Sequence, residues 1–154
     1  MKVIIVTGTP CTGKTTYAKE FAKKNKYKYI DVNKVIKENK LREYYDNKRK
    51  CYVVDIEKLN KILIEIMKLE KKKEKGLVID SHLSHYLPKR YIDLCVVTKC
   101  NLKELKKRME KRKYSKAKIK ENLQAEIFDV CLVEAKEKGH KIKIVNTSSK
   151  KWNQ

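Results

Sequence analysis

The sequence predicts a three-layer α/β domain in which a parallel sheet lies between helices. Three observations predict it. Short apolar runs, above all residues 3–6, 77–79 and 92–98, read as strands buried on both faces. Segments of helical period separate them. Glycine-containing or polar segments follow the strand ends, where the binding groups of an open α/β sheet collect. Five such strands alternating with helices form a parallel sheet through right-handed crossovers.

Taken in order, residues 2–7 form the first strand and residues 14–24 a helix with Ala18, Phe21 and Ala22 on one face. Residues 27–30 are a short strand ending at Asp31. Residues 31–45 carry Val35, Ile36 and Leu41 at helical spacing, so a short helix is expected through this stretch, followed by a polar loop over residues 46–51. Asp55 is a natural N-cap for a helix with Ile56, Leu59, Ile62, Leu63, Ile66 and Met67 on its apolar side. Gly76 is expected to end that helix, and Asp80 closes the next strand. A loop with His82, His85 and Pro88 leads to the strand at residues 92–98 and a basic helix at 102–111. After an interruption at Tyr114 and Ser115, a single helix is expected over residues 116–138. Gly139 stops it, and residues 141–145 form the last strand. The whole chain, residues 1–154, reads as one domain with two inserts: residues 31–55, able to cover a second substrate, and residues 108–118, able to act as a small lid.

The chemistry concentrates near the N-terminus. Gly8, Gly13, Lys14 and Thr15 satisfy the spacing of a phosphate-binding P-loop, with a buried strand before it and an amphipathic helix after it. A phosphate chain needs converging N–H donors, which a tight turn opening a helix supplies. Lys14 adds a point charge at the outer phosphates, and the Thr15 hydroxyl suits magnesium. The candidate ATP-binding set is Gly8, Pro10, Cys11, Thr12, Gly13, Lys14, Thr15 and Thr16, with Arg108. Asp80, at a strand end, is positioned to hold Mg2+ through its water shell; an aspartate there can also simply cap the next turn. His82 can orient water or reach the terminal phosphate, whereas His85 is expected to face solvent or cap a turn. Arg108 and Arg112, four apart, would share a helix face and bracket a moving phosphoryl group with planar donors that lysine cannot imitate. Two surface arginines on a basic helix are the plainer alternative. Lys14, Asp80, His82, Arg108 and Arg112 are the candidate catalytic residues, and Thr15 and Asp80 the candidate metal holders.

A 41% apolar content supports a core, and no run approaches the ~20 apolar residues of a membrane span, so a cytoplasmic protein with no membrane partner is expected. The net charge of +21 lies far outside the usual range for a small domain. Contact with RNA or an acidic partner and a lysine-biased composition on solvated helix faces both account for it. Five cysteines at no metal-ligand spacing read as free thiols, with Cys95 and Cys131 in the core.

Beyond the P-loop, the sequence resembles the adenylate kinase-like ATPases of small ribosomal subunit maturation, the adenylate kinase isoenzyme 6 type. The resemblance runs through GTPCTGKTT at residues 8–16, YYD at 44–46, CYVVD at 51–55, IDSHLSHYLP at 79–88, RYIDLCVV at 90–97 and the segment 102–127. It implies a nucleoside monophosphate kinase fold with sheet order 2-3-1-4-5, residues 31–55 as the acceptor-nucleotide region and residues 108–118 as the lid. It implies phosphoryl transfer from ATP to AMP, with dAMP or CMP as further acceptors, and ATP hydrolysis. Asp80 and His82 match the family's Walker B-like pair. The implied partners are ribosomal protein uS11 and the small-subunit precursor. Two positions depart from the family pattern, Cys11 and Lys113, which stand where glycine is usual: Cys11 is strained if its position needs a positive φ and tolerated in an ordinary α or β conformation, and Lys113 is expected to stiffen the lid. A small-metabolite kinase reading is weaker, because the acceptor region offers only Arg42 and Arg49 for a carboxylate.

Overall fold

The computed structural model describes residues 1–48 and 51–148, with Cys51 described by its backbone alone. Arg49, and with it the middle of the polar loop expected at 46–51, lies outside the described residues. The central sheet contains β1 (Lys2–Thr7), β2 (Lys28–Asp31), β5 (Gly76–Asp80), β6 (Leu94–Lys99) and β7 (Ile142–Asn146), all parallel. Their spatial order is β2-β5-β1-β6-β7, which is the order 2-3-1-4-5 for these five strands.

Alternating side chains on each strand feed two separate cores. Val3, Ile5, Leu77, Ile79, Cys95 and Val97 point to one face. There they meet Val35 and Ile36 of α2 (Val32–Glu38), Leu59, Leu63 and Met67 of α3 (Ile56–Glu70) and Ala135 of α6 (Val130–Glu137). Ile4, Val6, Val78 and Val96 point to the other face, against Tyr17, Ala18 and Ala22 of α1 (Lys14–Asn25). Burial on both sides is why these strands read as unbroken apolar runs. A third cluster joins Cys11 and Cys100 to Leu105 and Met109 of α4 (Leu102–Lys111) and Ile119 of α5 (Lys116–Ile127), packing the α4–α5 pair beside the phosphate loop.

Four local expectations are corrected. Residues 31–45 are not mainly helical: α2 stops at Glu38, and an antiparallel hairpin follows, β3 (Arg42–Asp46) with β4 (Cys51–Val54). Leu41 matched a helical period because its N–H closes the end of α2 on the Ile36 carbonyl across the left-handed Lys40, not because the helix continues. Gly76 does not end α3, which stops at Glu70; it lies within β5, where a Cβ would come 2.7 Å from the Tyr27 ring. The helix expected over 116–138 is two, separated at Phe128 and Asp129, the latter at φ 52°. His85 does not face solvent. It is 1% exposed, bonded through Nδ1 to Thr7 Oγ1 (2.7 Å) and through Nε2 to Glu134 Oε2 (2.9 Å).

Candidate active site

A cavity of about 280 Å³ opens at the carboxyl ends of β1 and β5. Its floor is the loop between β1 and α1. Pro10, Cys11 and Gly13 line it there, and Lys14, Thr15 and Thr16 of the first helical turn complete that wall. Gly8 and Thr12 lie behind. Gly8 has φ 151°, and a Cβ there would sit 2.4 Å from Thr98 Oγ1, so only glycine lets the loop lie against β6. Thr12 is fully buried, its hydroxyl 2.6 Å from the Thr9 carbonyl and 2.7 Å from Thr98 Oγ1. Gly13, at φ 87°, turns the chain into α1. These glycines are used where a side chain would clash or the backbone turns left-handed.

Lys14 Nζ folds back on the loop, donating to the Gly8 and Thr9 carbonyls at 3.0 and 3.1 Å. Burial lowers its pKa, opposed chiefly by the Asp80 carboxylate. Asp80 shares a strand face with Val78, the face that α1 covers, and its Oδ2 accepts hydrogen bonds from Thr15 Oγ1 and from Tyr29 OH, both at 2.7 Å. The Tyr29 phenol is pushed well up by burial and by this bond.

Ser81 and His82 form the wall beside Asp80. The His82 side chain opens into the cavity, yet the surrounding protein and then the Lys14 charge hold its pKa down to about 4, so it is neutral at physiological pH. Asn33 of α2 also lines the cavity, with Arg112 and Tyr114 from the α4–α5 turn and Lys118 from the first turn of α5.

The two arginines meet different neighbours. α4 ends at Lys111, so Arg112 leaves the helical path and reaches the cavity rim. Arg108 is directed to the outside of the loop, donating to the Cys11 carbonyl (3.3 Å), Thr147 Oγ1 (3.1 Å) and the Thr147 carbonyl (2.7 Å). Both family departures stand at left-handed positions, Cys11 at φ 70° and Lys113 at φ 59°. Of the cysteines, Cys11, Cys95 and Cys100 are buried and Cys131 half-buried, and burial pushes Cys95 up to about 12, leaving it a poor nucleophile.

Several residues around the site have contacts that the sequence does not foretell, and Glu126 stands out in it only as part of the family resemblance. Glu126, 6% exposed, accepts from Thr9 Oγ1 (3.1 Å), Lys99 Nζ (2.8 Å) and the Cys100 N–H (2.9 Å), tying α5 to the phosphate loop and the end of β6. Buried Thr7 and His85 with half-buried Glu134 form a second chain, linking the end of β1 to α6. Burial alone would raise Glu134, but bonds from Tyr86 and His85 hold it below the ordinary carboxylate range. Tyr29 was visible in the sequence only as a strand residue.

The loop cradle and donor set suit a polyphosphate with magnesium: hard oxygen donors from Thr15 and Asp80, few in number, leaving room for water and phosphate oxygens. No group of three or more His, Cys, Asp or Glu residues among the described residues forms a metal cage of its own. No described helix is long and apolar enough to cross a membrane.

Sheet order, crossovers and glycine-bracketed loop together define a P-loop α/β fold of the kinase type. Solved structures with the same architecture include a shikimate kinase from Bacteroides thetaiotaomicron (TM-score 0.54, 14% identity, 99% of this chain and 91% of that one) and the protein TT1252 from Thermus thermophilus (TM-score 0.61, 14% identity, 99% and 91%). A family model described as an AAA domain matches residues 4–129. Relatives include a Methanocaldococcus jannaschii protein named "Putative adenylate kinase", 43% identical over 93% of this chain and 77% of its own length. Others are adenylate kinase isoenzyme 6 homologs of Caenorhabditis elegans (40% identical, 87% and 72%) and Schizosaccharomyces pombe (42%, 87% and 74%). The chain belongs to this adenylate kinase-like enzyme family.

Proposed function

We propose that this protein transfers the terminal phosphoryl group of ATP to AMP, with dAMP and CMP as further acceptors, and hydrolyses ATP as a second activity. The observation that carries the reading is the composition of one cavity: the phosphate loop on one wall, Asp80 and His82 on the next, Arg112 and Lys118 at the rim, and Asn33 on the acceptor side. Residues 31–55 are the acceptor insert, and residues 108–118 the lid.

Catalysis here is positioning and charge stabilisation. The loop N–H groups of residues 8–16 hold the donor phosphates, and Lys14 turns from its two carbonyl partners to the outer phosphates. Thr15 and Asp80 would hold magnesium, which when bound would supply neutralisation of charge on the phosphate oxygens. Arg112 follows the transferring group from the lid. Arg108, with Thr147, borders the nucleotide on the far side of Cys11, and its contribution to transfer runs through the placing of the loop. His82, neutral, is placed to orient water or a terminal phosphate oxygen, which connects it with hydrolysis.

The net charge of +21 favours a second role for the same site, a nucleotide-switched ATPase of small ribosomal subunit assembly, with uS11, the subunit precursor and RNA on the basic surface as partners. A nucleoside monophosphate panel with ATP and Mg2+, scored for both transfer and hydrolysis with and without uS11, tests both. Wild type forms ADP from ATP and AMP, and Lys14→Ala does not. No AMP-dependent ADP at about 1 mM AMP, the top of the usual KM range, refutes the kinase reading.

A further inference from the structure

Asp80 is held in a way that its place at a strand end does not require. Two hydroxyls from separate elements, Thr15 on α1 and Tyr29 on β2, donate to the same oxygen, Oδ2, at 2.7 Å each. Among the described residues nothing donates to Oδ1. The register explains how Tyr29 reaches it. β2 pairs with β5 so that Tyr29 lies opposite Val78, and Tyr29, Val78 and Asp80 project to the face covered by α1. A phenol is long enough to cross the two-residue offset; serine or threonine at the same position is not. Tyr29 is half-buried, with the Lys19 ammonium 5.6 Å from its ring centroid on the outer side.

We propose that Tyr29 is a positioning residue for the metal-holding carboxylate: its hydroxyl pins Asp80 Oδ2 so that Oδ1 stays turned to the magnesium site. This rests on the proposed magnesium-dependent use of ATP. Thr15 Oγ1 can offer a lone pair to the metal while its proton still goes to Asp80 Oδ2, so both hydroxyls hold that oxygen in the loaded state. Tyr29 is the donor of the two that is not itself a metal holder, so its removal reads the placing of the carboxylate separately from ligation. A hydrogen bond to a charged acceptor is among the stronger kinds, and partners one step removed from a metal alter metal affinity about tenfold or more.

The test is calorimetric titration of ATP into wild type, Tyr29→Phe and, as a matched control, Tyr27→Phe, each with Mg2+ and with EDTA, alongside the Mg2+ dependence of turnover. Tyr29→Phe is expected to bind metal-free ATP within twofold of wild type. It should lose about tenfold of the affinity gained on adding Mg2+, and need correspondingly more Mg2+ for half-maximal rate. Tyr27→Phe should match wild type throughout. An unchanged magnesium gain in Tyr29→Phe overturns the proposal. So does an equal loss with and without the metal, which would make Tyr29 a support for the fold alone. If wild type itself gains nothing from Mg2+, the functional reading fails first and takes this inference with it.

Discussion

Four helices end in the same way, and three of them do so with a residue poorly suited to the task. At Lys26, Lys40, Lys113 and Gly139 the backbone turns left-handed, with φ of 57°, 53°, 59° and 81°. The next residue's N–H returns to a carbonyl five positions back: Tyr27 to Ala22, Leu41 to Ile36, Tyr114 to Met109 and His140 to Ala135. This is the Schellman motif, whose left-handed position favours glycine. An L-residue there costs roughly 1–2 kcal/mol, and glycine returns roughly 0.5–1 kcal/mol of that through its freer unfolded chain. Each lysine-to-glycine change should therefore stabilise by about 0.5–1 kcal/mol. The three lysines are exposed, on different helices and without shared partners, so the changes should add. The triple variant Lys26→Gly, Lys40→Gly, Lys113→Gly should gain about 2 kcal/mol, a Tm rise of roughly 4–8 °C for a chain of this length. Lys24→Gly, still inside α1, should instead lose about 1 kcal/mol. Thermal unfolding by circular dichroism and urea midpoints report both. A triple variant no more stable than wild type, with its helix content intact, refutes the assignment of strain to these caps.

Glu126→Ala removes the buried acceptor of Thr9, Lys99 and Cys100 and should cost about 3–5 kcal/mol in urea unfolding, because the Lys99 ammonium and a backbone donor lose a partner together. Cys11→Gly relieves the left-handed φ but empties part of the α4–α5 cluster, so it should stay within about 1 kcal/mol of wild type while exceeding Cys11→Ala, which keeps the strain, by about 1 kcal/mol. Acid should destabilise the fold through its histidines. His82, although exposed to the cavity, is held below its unfolded value of about 6.5 by the surrounding protein and the Lys14 charge, so below that value the unfolded state binds more protons and stability falls as the pH is lowered. His85, lowered by burial against the pull of Glu134, acts in the same direction. In His82→Asn the fall in Tm from pH 7 to pH 5 should be smaller than in wild type, and turnover in wild type should show no His82 inflection between pH 6 and 8.

What the sequence disclosed and what it hid follow from the range of the interactions. β1, β5 and β6 are covered on both faces, so their identity is written in consecutive apolar residues, and the phosphate loop is a local motif whose glycines answer local geometry. The hairpin is different. Arg42–Asp46 is mostly exposed, and it becomes a strand only because Cys51–Val54 returns beside it. The sign pointing to helix was also ambiguous in kind. A Schellman cap joins residues five apart, Ile36 to Leu41, and that spacing blends with the three-and-four spacing of a helix, so in the sequence a helix end looks like another turn. The same logic governs the site. The place of Asp80 at a strand end is legible in the sequence, but its partner Tyr29 lies 51 residues away and becomes a neighbour only once β2 pairs with β5 rather than with β1. The burial of His85 is not legible in the sequence, because it depends on what meets its two nitrogens, and here these are Thr7, 78 residues before it, and Glu134, 49 after. Local chemistry makes the phosphate-loop motif readable; strand order decides which distant residues come to lie against it.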